Sequence, residues 1–166
     1  MIIKHISRAA ATLALVAGAA TSAQAQATMA TTQTVTFQVN AINQIAFSGA
    51  PSLTITTAVA GSAPTSVTDA TSSWAVTSNQ TGAKITASIP LAMPAGLTLS
   101  SNLVAPAAAT SAGFLSLSTV AVDLVTGITK LAQGALGVSY KLDATPAAGV
   151  VASSTRVVTY TITGGT

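Results

Sequence analysis

The feature that most constrains this chain is an alternation of apolar and polar residues with period two, repeated along a sequence that has no cysteine. In Thr34-Val35-Thr36-Phe37-Gln38-Val39-Asn40, the side chains of Val35, Phe37 and Val39 share one face, and hydroxyls and amides take the other. The pattern returns with Ile85, Ala87 and Ile89, briefly with Leu97 and Leu99 and with Leu115 and Leu117, and at length with Leu136, Val138, Tyr140 and Leu142. Val158, Tyr160 and Ile162 form the last such row. Successive side chains of a strand point to opposite faces, so this is the signature of half-buried sheet. Turn-forming clusters separate the runs: Gly49-Ala50-Pro51, Gly61-Ser62-Ala63-Pro64, Asn79-Gln80-Thr81-Gly82, Pro94-Ala95-Gly96, and the stretch 146–149. The spacing predicts strands near 33–40, 44–48, 52–58, 72–78, 83–89, 97–104, 114–119, 135–143 and 156–163. Many short strands between Gly and Pro turns predict an all-β fold, an immunoglobulin-like antiparallel β-sandwich. Without disulfides, its core and hydrogen-bond ladders must hold it together.

One stretch breaks the period. Val122, Val125, Ile128 and Leu131 recur every third residue, which suits an amphipathic helical turn. Thr126-Gly127 and the β-branched residues limit its length, so at most a short helical turn is expected near residues 120–132.

The first residues read as an address. Lys4 and Arg8 precede an apolar run from Ala9 to Ala20, and Ala23-Gln24-Ala25 supplies a small-x-small cleavage site. Residues 1–25 are therefore expected to be a cleaved signal peptide, with Ala27 marking a second cleavage point. The run is too short and alanine-rich for a spanning helix, which needs roughly 20 strongly apolar residues. Residues 26–32 are then a flexible N-terminus and 33–163 a single sandwich domain. Export to the periplasm, the medium or the cell surface follows, with no stable membrane span after the signal is removed. Removal also leaves Lys84, Lys130, Lys141 and Arg156 against Asp69, Asp123 and Asp143, a net charge of +1. Four scattered cations form no basic footprint, so nucleic acid is not an expected partner.

The inventory for catalysis is thin. Acid–base chemistry needs a histidine or paired carboxylates, and the only histidine, His5, leaves with the signal. The three aspartates are isolated in sequence and read as turn, cap and strand-end residues. Ser88 and Lys84 lie four apart in one strand, too far for a Ser–Lys dyad. The chain is read as no enzyme, with no cofactor and no metal site expected. Trp74 is the one candidate ligand-binding residue, as a platform on which a sugar ring could stack. The competing reading, a core tryptophan sharing its face with Val76, is the stronger. Asn79-Gln80-Thr81 matches a glycosylation sequon but reads first as a hairpin turn.

Ser73-Trp74-Ala75-Val76-Thr77-Ser78-Asn79, Lys84-Ile85-Thr86-Ala87-Ser88-Ile89, Pro94-Ala95-Gly96-Leu97-Thr98-Leu99 and the closing Arg156-Val157-Val158-Thr159-Tyr160-Thr161-Ile162-Thr163 carry a resemblance. The chain resembles small exported bacterial β-sandwich proteins of uncharacterised function, and more distantly fimbrial subunits and WxL-type surface domains. Trp74-Ala75-Val76 departs from the Trp-x-Leu signature, and the absence of cysteine departs from disulfide-bearing subunits. The resemblance carries over no functional residue; elimination of catalytic chemistry leaves a non-enzymatic secreted or cell-surface structural or adhesive protein, such as a fimbria-like or coat subunit, as the expected function. The expected partners are a second copy through strand exchange, other surface proteins, or a glycan. The alternative function is a monomeric extracellular module that binds carbohydrate or cell wall.

Overall fold

The computed structural model describes residues 28–165. The expected signal peptide and both cleavage points lie outside the described residues. The chain divides between Phe37 and Gln38 into two units, and the larger one carries all the strands found among the described residues.

That unit is built from two antiparallel sheets. The first has the order β1-β2-β8-β4-β6, formed by Asn43–Ser48, Val67–Ser78, Leu131–Ala144, Leu97–Leu103 and Leu115–Ser116. The second has the order β5-β7-β3-β9, formed by Thr110–Ser111, Val122–Ile128, Ala83–Ser88 and Thr159–Thr163. The alternating runs do what their pattern requires. Trp74, Val76, Leu99, Leu103, Leu136, Val138 and Tyr140 from the first sheet bury against Ile85, Ala87, Leu124, Val125 and Ile128 from the second. Among the described residues the one helical element is a single 3-10 turn, Pro146–Ala148.

The stretch read as a helical turn is strand β7. Its pairing with β3 runs Ala83 to Ile128, Ile85 to Val125, and Thr86 to Asp123. Twice, therefore, β7 carries one residue more than its partner, and these are β-bulges. Each bulge adds a residue to the period of two, which puts Val122, Val125 and Ile128 three apart while all remain in the sheet. Gly127, at φ 78°, supplies the backbone geometry that the irregularity between Val125 and Ile128 needs.

Two other expected strands do not form. Residues 52–58 make only an isolated bridge, Ala58 with Pro64, although Leu53 and Ile55 keep their half-buried face. Residues 33–40 carry the cleanest alternation in the chain and belong to no ladder. A period of two states that a segment can be a strand; a ladder also requires the chain to bring that segment alongside a sheet edge.

The strands also define two poles. Asn43 of β1 pairs with Ser78 of β2, and Lys84 of β3 with Thr163 of β9, which places one pole. At the other pole lie Ser48, Val67, Leu97, Ala144 and Thr159, where the long β1–β2 and β8–β9 connections leave the sheets.

Candidate functional site

The most chemically distinctive region is a cleft of about 1240 Å3 at this second pole, between the outer strand of each sheet. β1 ends the first sheet and β9 ends the second, so each has one edge with no neighbour. Ile45 and Phe47 of β1, Leu99 of β4, Tyr140 of β8 and Tyr160 of β9 line the cleft. Its walls come from the β1–β2 connection, including Leu53 and Ile55, and from the β8–β9 connection, including Arg156. Among the described residues the amide of Thr65 reaches the carbonyl of Thr57, and residues 53–56 and 150–156 join no ladder.

Aromatic rings close the inner end. Phe47 stacks on Tyr160, with centroids 4.0 Å apart and planes inclined by 15°. Its other neighbour is Trp74, at 6.0 Å and 13°. Below the stack, the Tyr160 hydroxyl donates to Tyr140 Oη at 2.8 Å and lies 3.0 Å from Ser101 Oγ. The chain of hydroxyls ties the two sheets together at the floor of the cleft. Burial pushes both tyrosine hydroxyls above their ordinary titration range, most strongly at Tyr160. Arg156 holds the wall in place, donating to the carbonyls of Thr155 at 2.9 Å and Ala92 at 3.3 Å. Its Nε is buried without a partner.

Trp74, the sugar-platform candidate, is not on the surface. Only 2% of it is exposed, because position 74 lies in the inward row of β2 with Ser72, Val76 and Ser78. Its Nε1–H donates to the carbonyl of Val104 at 3.2 Å, so the ring is buried with its one polar atom satisfied. Neither face remains open for a sugar.

The aspartates stay apart. Asp123 pairs with Lys84 at 3.0 Å on the outside of the second sheet. Asp143 accepts a hydrogen bond from Ser66 and pairs with Lys141 at 3.1 Å. Asp69 accepts from the Thr71 hydroxyl at 2.7 Å, the Thr71 amide at 2.9 Å and the Ser52 amide at 3.1 Å. It therefore anchors the β1–β2 connection at the cleft wall. No three metal-ligating side chains converge among the described residues. Lys84 is engaged with Asp123 and has no hydrogen bond to Ser88.

The hydrogen bonds predict an unusual pH profile. The Thr71 hydroxyl holds Asp69 below the ordinary value of 3.8, and the Ser66 hydroxyl does the same for Asp143. A lowered carboxylate contributes stability above its unfolded value, and that stability is lost as the pH falls through the folded one. Raised tyrosines act in the opposite sense. They contribute below their unfolded value of 10.0, and the contribution is lost as the pH rises beyond it. The described residues contain no histidine and no glutamate. Thermal melts should accordingly give a level Tm from about pH 5 to about pH 9, falling on both sides. A slope near neutral pH would contradict this assignment.

Residues 33–40, which the sequence marked as a strand, present their apolar row to solvent. Val35 is 72% exposed, Phe37 89% and Val39 76%. The sequence signalled the apolar row itself, whereas the cleft was not legible because its lining comes from stretches far apart in the chain. Comparison with models of protein families, with curated proteins and with solved structures finds no match for this chain.

Proposed function

We propose that this chain is an exported, non-enzymatic structural subunit of a surface assembly, joined to its neighbours by strand addition. The observation that carries the reading is the segment 33–40. It is a strand by sequence, its Val35, Phe37 and Val39 are all exposed, and it has no ladder. Soluble proteins blunt free β edges with charge or proline, and residues 33–40 contain neither. Such a segment gains both its hydrogen bonds and its apolar burial by lying against another sheet edge. The signal-like N-terminus supports delivery outside the cytoplasm, and the fimbria-like character expected from the sequence belongs to the same proposal. The scattered aspartates and the engaged Lys84 support a role without catalysis. Burial of Trp74 removes the platform on which a monomeric glycan-binding module would have relied.

Residues 26–166, studied by light scattering across a dilution series and by negative-stain microscopy, test the reading. Concentration-dependent high-mass species with a regular repeat are expected. A monomer at every concentration would remove self-assembly as the function.

A further inference from the structure

The cleft at the second pole has a chemistry that the structural role proposed above leaves unused. We infer that it is a binding site for a long-chain fatty carboxylate, with the acyl chain lying on Ile45, Phe47 and Leu99 and the headgroup held at the rim by Arg156. Binding of this kind does not depend on strand addition by residues 33–40.

The interior sets the first requirement, a long apolar body. The cleft has a volume of about 1240 Å3, above the about 300–1,000 Å3 usual for small-molecule pockets. Ile45 and Phe47 of β1 and Leu99 of β4 line it. The hydroxyls at its floor are already engaged, Tyr160 with Tyr140 at 2.8 Å and with Ser101 at 3.0 Å. The floor therefore offers ring faces and methyl groups. A ligand that carried polar atoms down to it would leave them without partners.

The rim sets the second, a single polar end. Positions 156, 158, 160 and 162 are half-buried, whereas 155, 157, 159 and 161 are exposed. One alternation thus puts Arg156, Val158 and Tyr160 on the inward side. Thr159 opens β9 at the second pole, so Arg156 lies beyond the strand, at most about 14 Å along the chain from Tyr160. Ser153, Ser154 and Thr155 line the cleft beside it. A polar rim above an apolar floor matches an amphiphile whose chain goes in and whose headgroup stays out.

Charge sets the third. Arg156 is the cation among the lining residues, and none of Asp69, Asp123 and Asp143 lines the cleft. Asp123 pairs with Lys84, Asp143 pairs with Lys141, and Asp69 accepts from Thr71 and Ser52. The guanidinium is thus left without an acid. It carries five N–H groups, of which one Nη1–H goes to the carbonyl of Thr155 and one Nη2–H to that of Ala92. The other N–H groups have no acceptor among the described residues, and Nε is buried without a partner. A planar fork with unspent donors fits the two oxygens of a carboxylate. One positive charge balances one negative charge, which favours a fatty acid over a doubly charged phosphate ester.

Displacement of cis-parinarate, a fluorescent polyene fatty acid, from the full chain tests the site. Hexadecanoate is expected to displace it saturably, with hexadecanol weaker by about tenfold or more and hexanoate weaker still. Arg156→Gln should weaken hexadecanoate by about tenfold or more and leave hexadecanol as before. Arg156→Lys should keep the preference for the acid over the alcohol. Ile55→Asp, which sets a carboxylate in the wall, should weaken the acid more than the alcohol. Buried tryptophan emission checks that each variant has folded, and the acid and alcohol in the parent chain decide the matter if Arg156→Gln does not fold. No saturable displacement by hexadecanoate would overturn the assignment. Equal affinity for acid and alcohol would make the cleft a purely apolar site, and hexanoate binding as tightly as hexadecanoate would make it an anion site, each overturning it. Uptake of hexadecanoate only where light scattering shows association would place the ligand between copies and overturn it too. All four results would leave the proposed structural role standing, since that role fails only on a chain that stays monomeric.

Discussion

Phe37→Asp is expected to abolish self-association and to leave the folded domain as stable as before. Phe37 is 89% exposed, so its replacement costs the isolated chain no packing. Surface changes of this kind fall within about 0.5 kcal/mol. In the proposed strand addition the same side chain is buried against a neighbouring sheet. Losing the burial of one phenylalanine removes about 1.5–3 kcal/mol. The aspartate must in addition shed water without a partner, which raises the cost further. Each junction then weakens by about two orders of magnitude or more, since about 1.4 kcal/mol is a factor of ten. Light scattering reads the association and a thermal melt reads the fold. Thr36→Asp, on the outward side of the same segment, is the matched control and should still assemble. If both variants associate like the parent chain, residues 33–40 do not join the molecules.

Trp74→Ala should have the largest effect on stability, a loss of about 3–5 kcal/mol in urea unfolding. The indole is buried between the sheets, pairs across the ladder with Phe47 and Leu136, and anchors the aromatic stack that ends at Tyr160. Truncation removes the ring and leaves a cavity that a two-sheet core cannot close without bending a strand. Since single domains are stable by only about 5–15 kcal/mol, this is a large share of the total. Trp74→Phe keeps most of the volume and gives up the hydrogen bond to Val104, a net cost of about 1 kcal/mol from that bond. Before unfolding, the parent chain should emit at the blue end of the tryptophan range, and added sugars should leave that emission unchanged. A loss below about 1 kcal/mol for Trp74→Ala, or sugar quenching, would place the indole outside the core.

Seven of the nine observed strands overlap stretches legible from the alternation, because period two follows from the geometry of a single strand and needs no knowledge of its neighbours. The inward rows of β3, β8 and β9 could be read residue by residue, and so could the shared core face of Trp74 and Val76 in β2. The absence of helix at 120–132 could not. Two bulges, visible only in the pairing with β3, turned a strand into an apparent helical period. The two-residue strand β5 is too short to show any period. Residues 33–40 and 52–58 have the pattern of strands, and only the sheet order shows that the folded chain provides neither with a ladder.

The candidate site divides in the same way. The sequence by itself determined the apolar row of Val35, Phe37 and Val39, the isolation of the three aspartates along the chain and the absence of cysteine. Only the tertiary structure decided that β1 and β9 end their sheets beside one cleft, that Tyr140, Tyr160 and Ser101 meet at its floor, and that Asn79 clamps the entering chain. The physical reason is range. Periodicity, charge and turn chemistry act between residues a few positions apart, whereas an open edge is set by which strands occupy all the other edges.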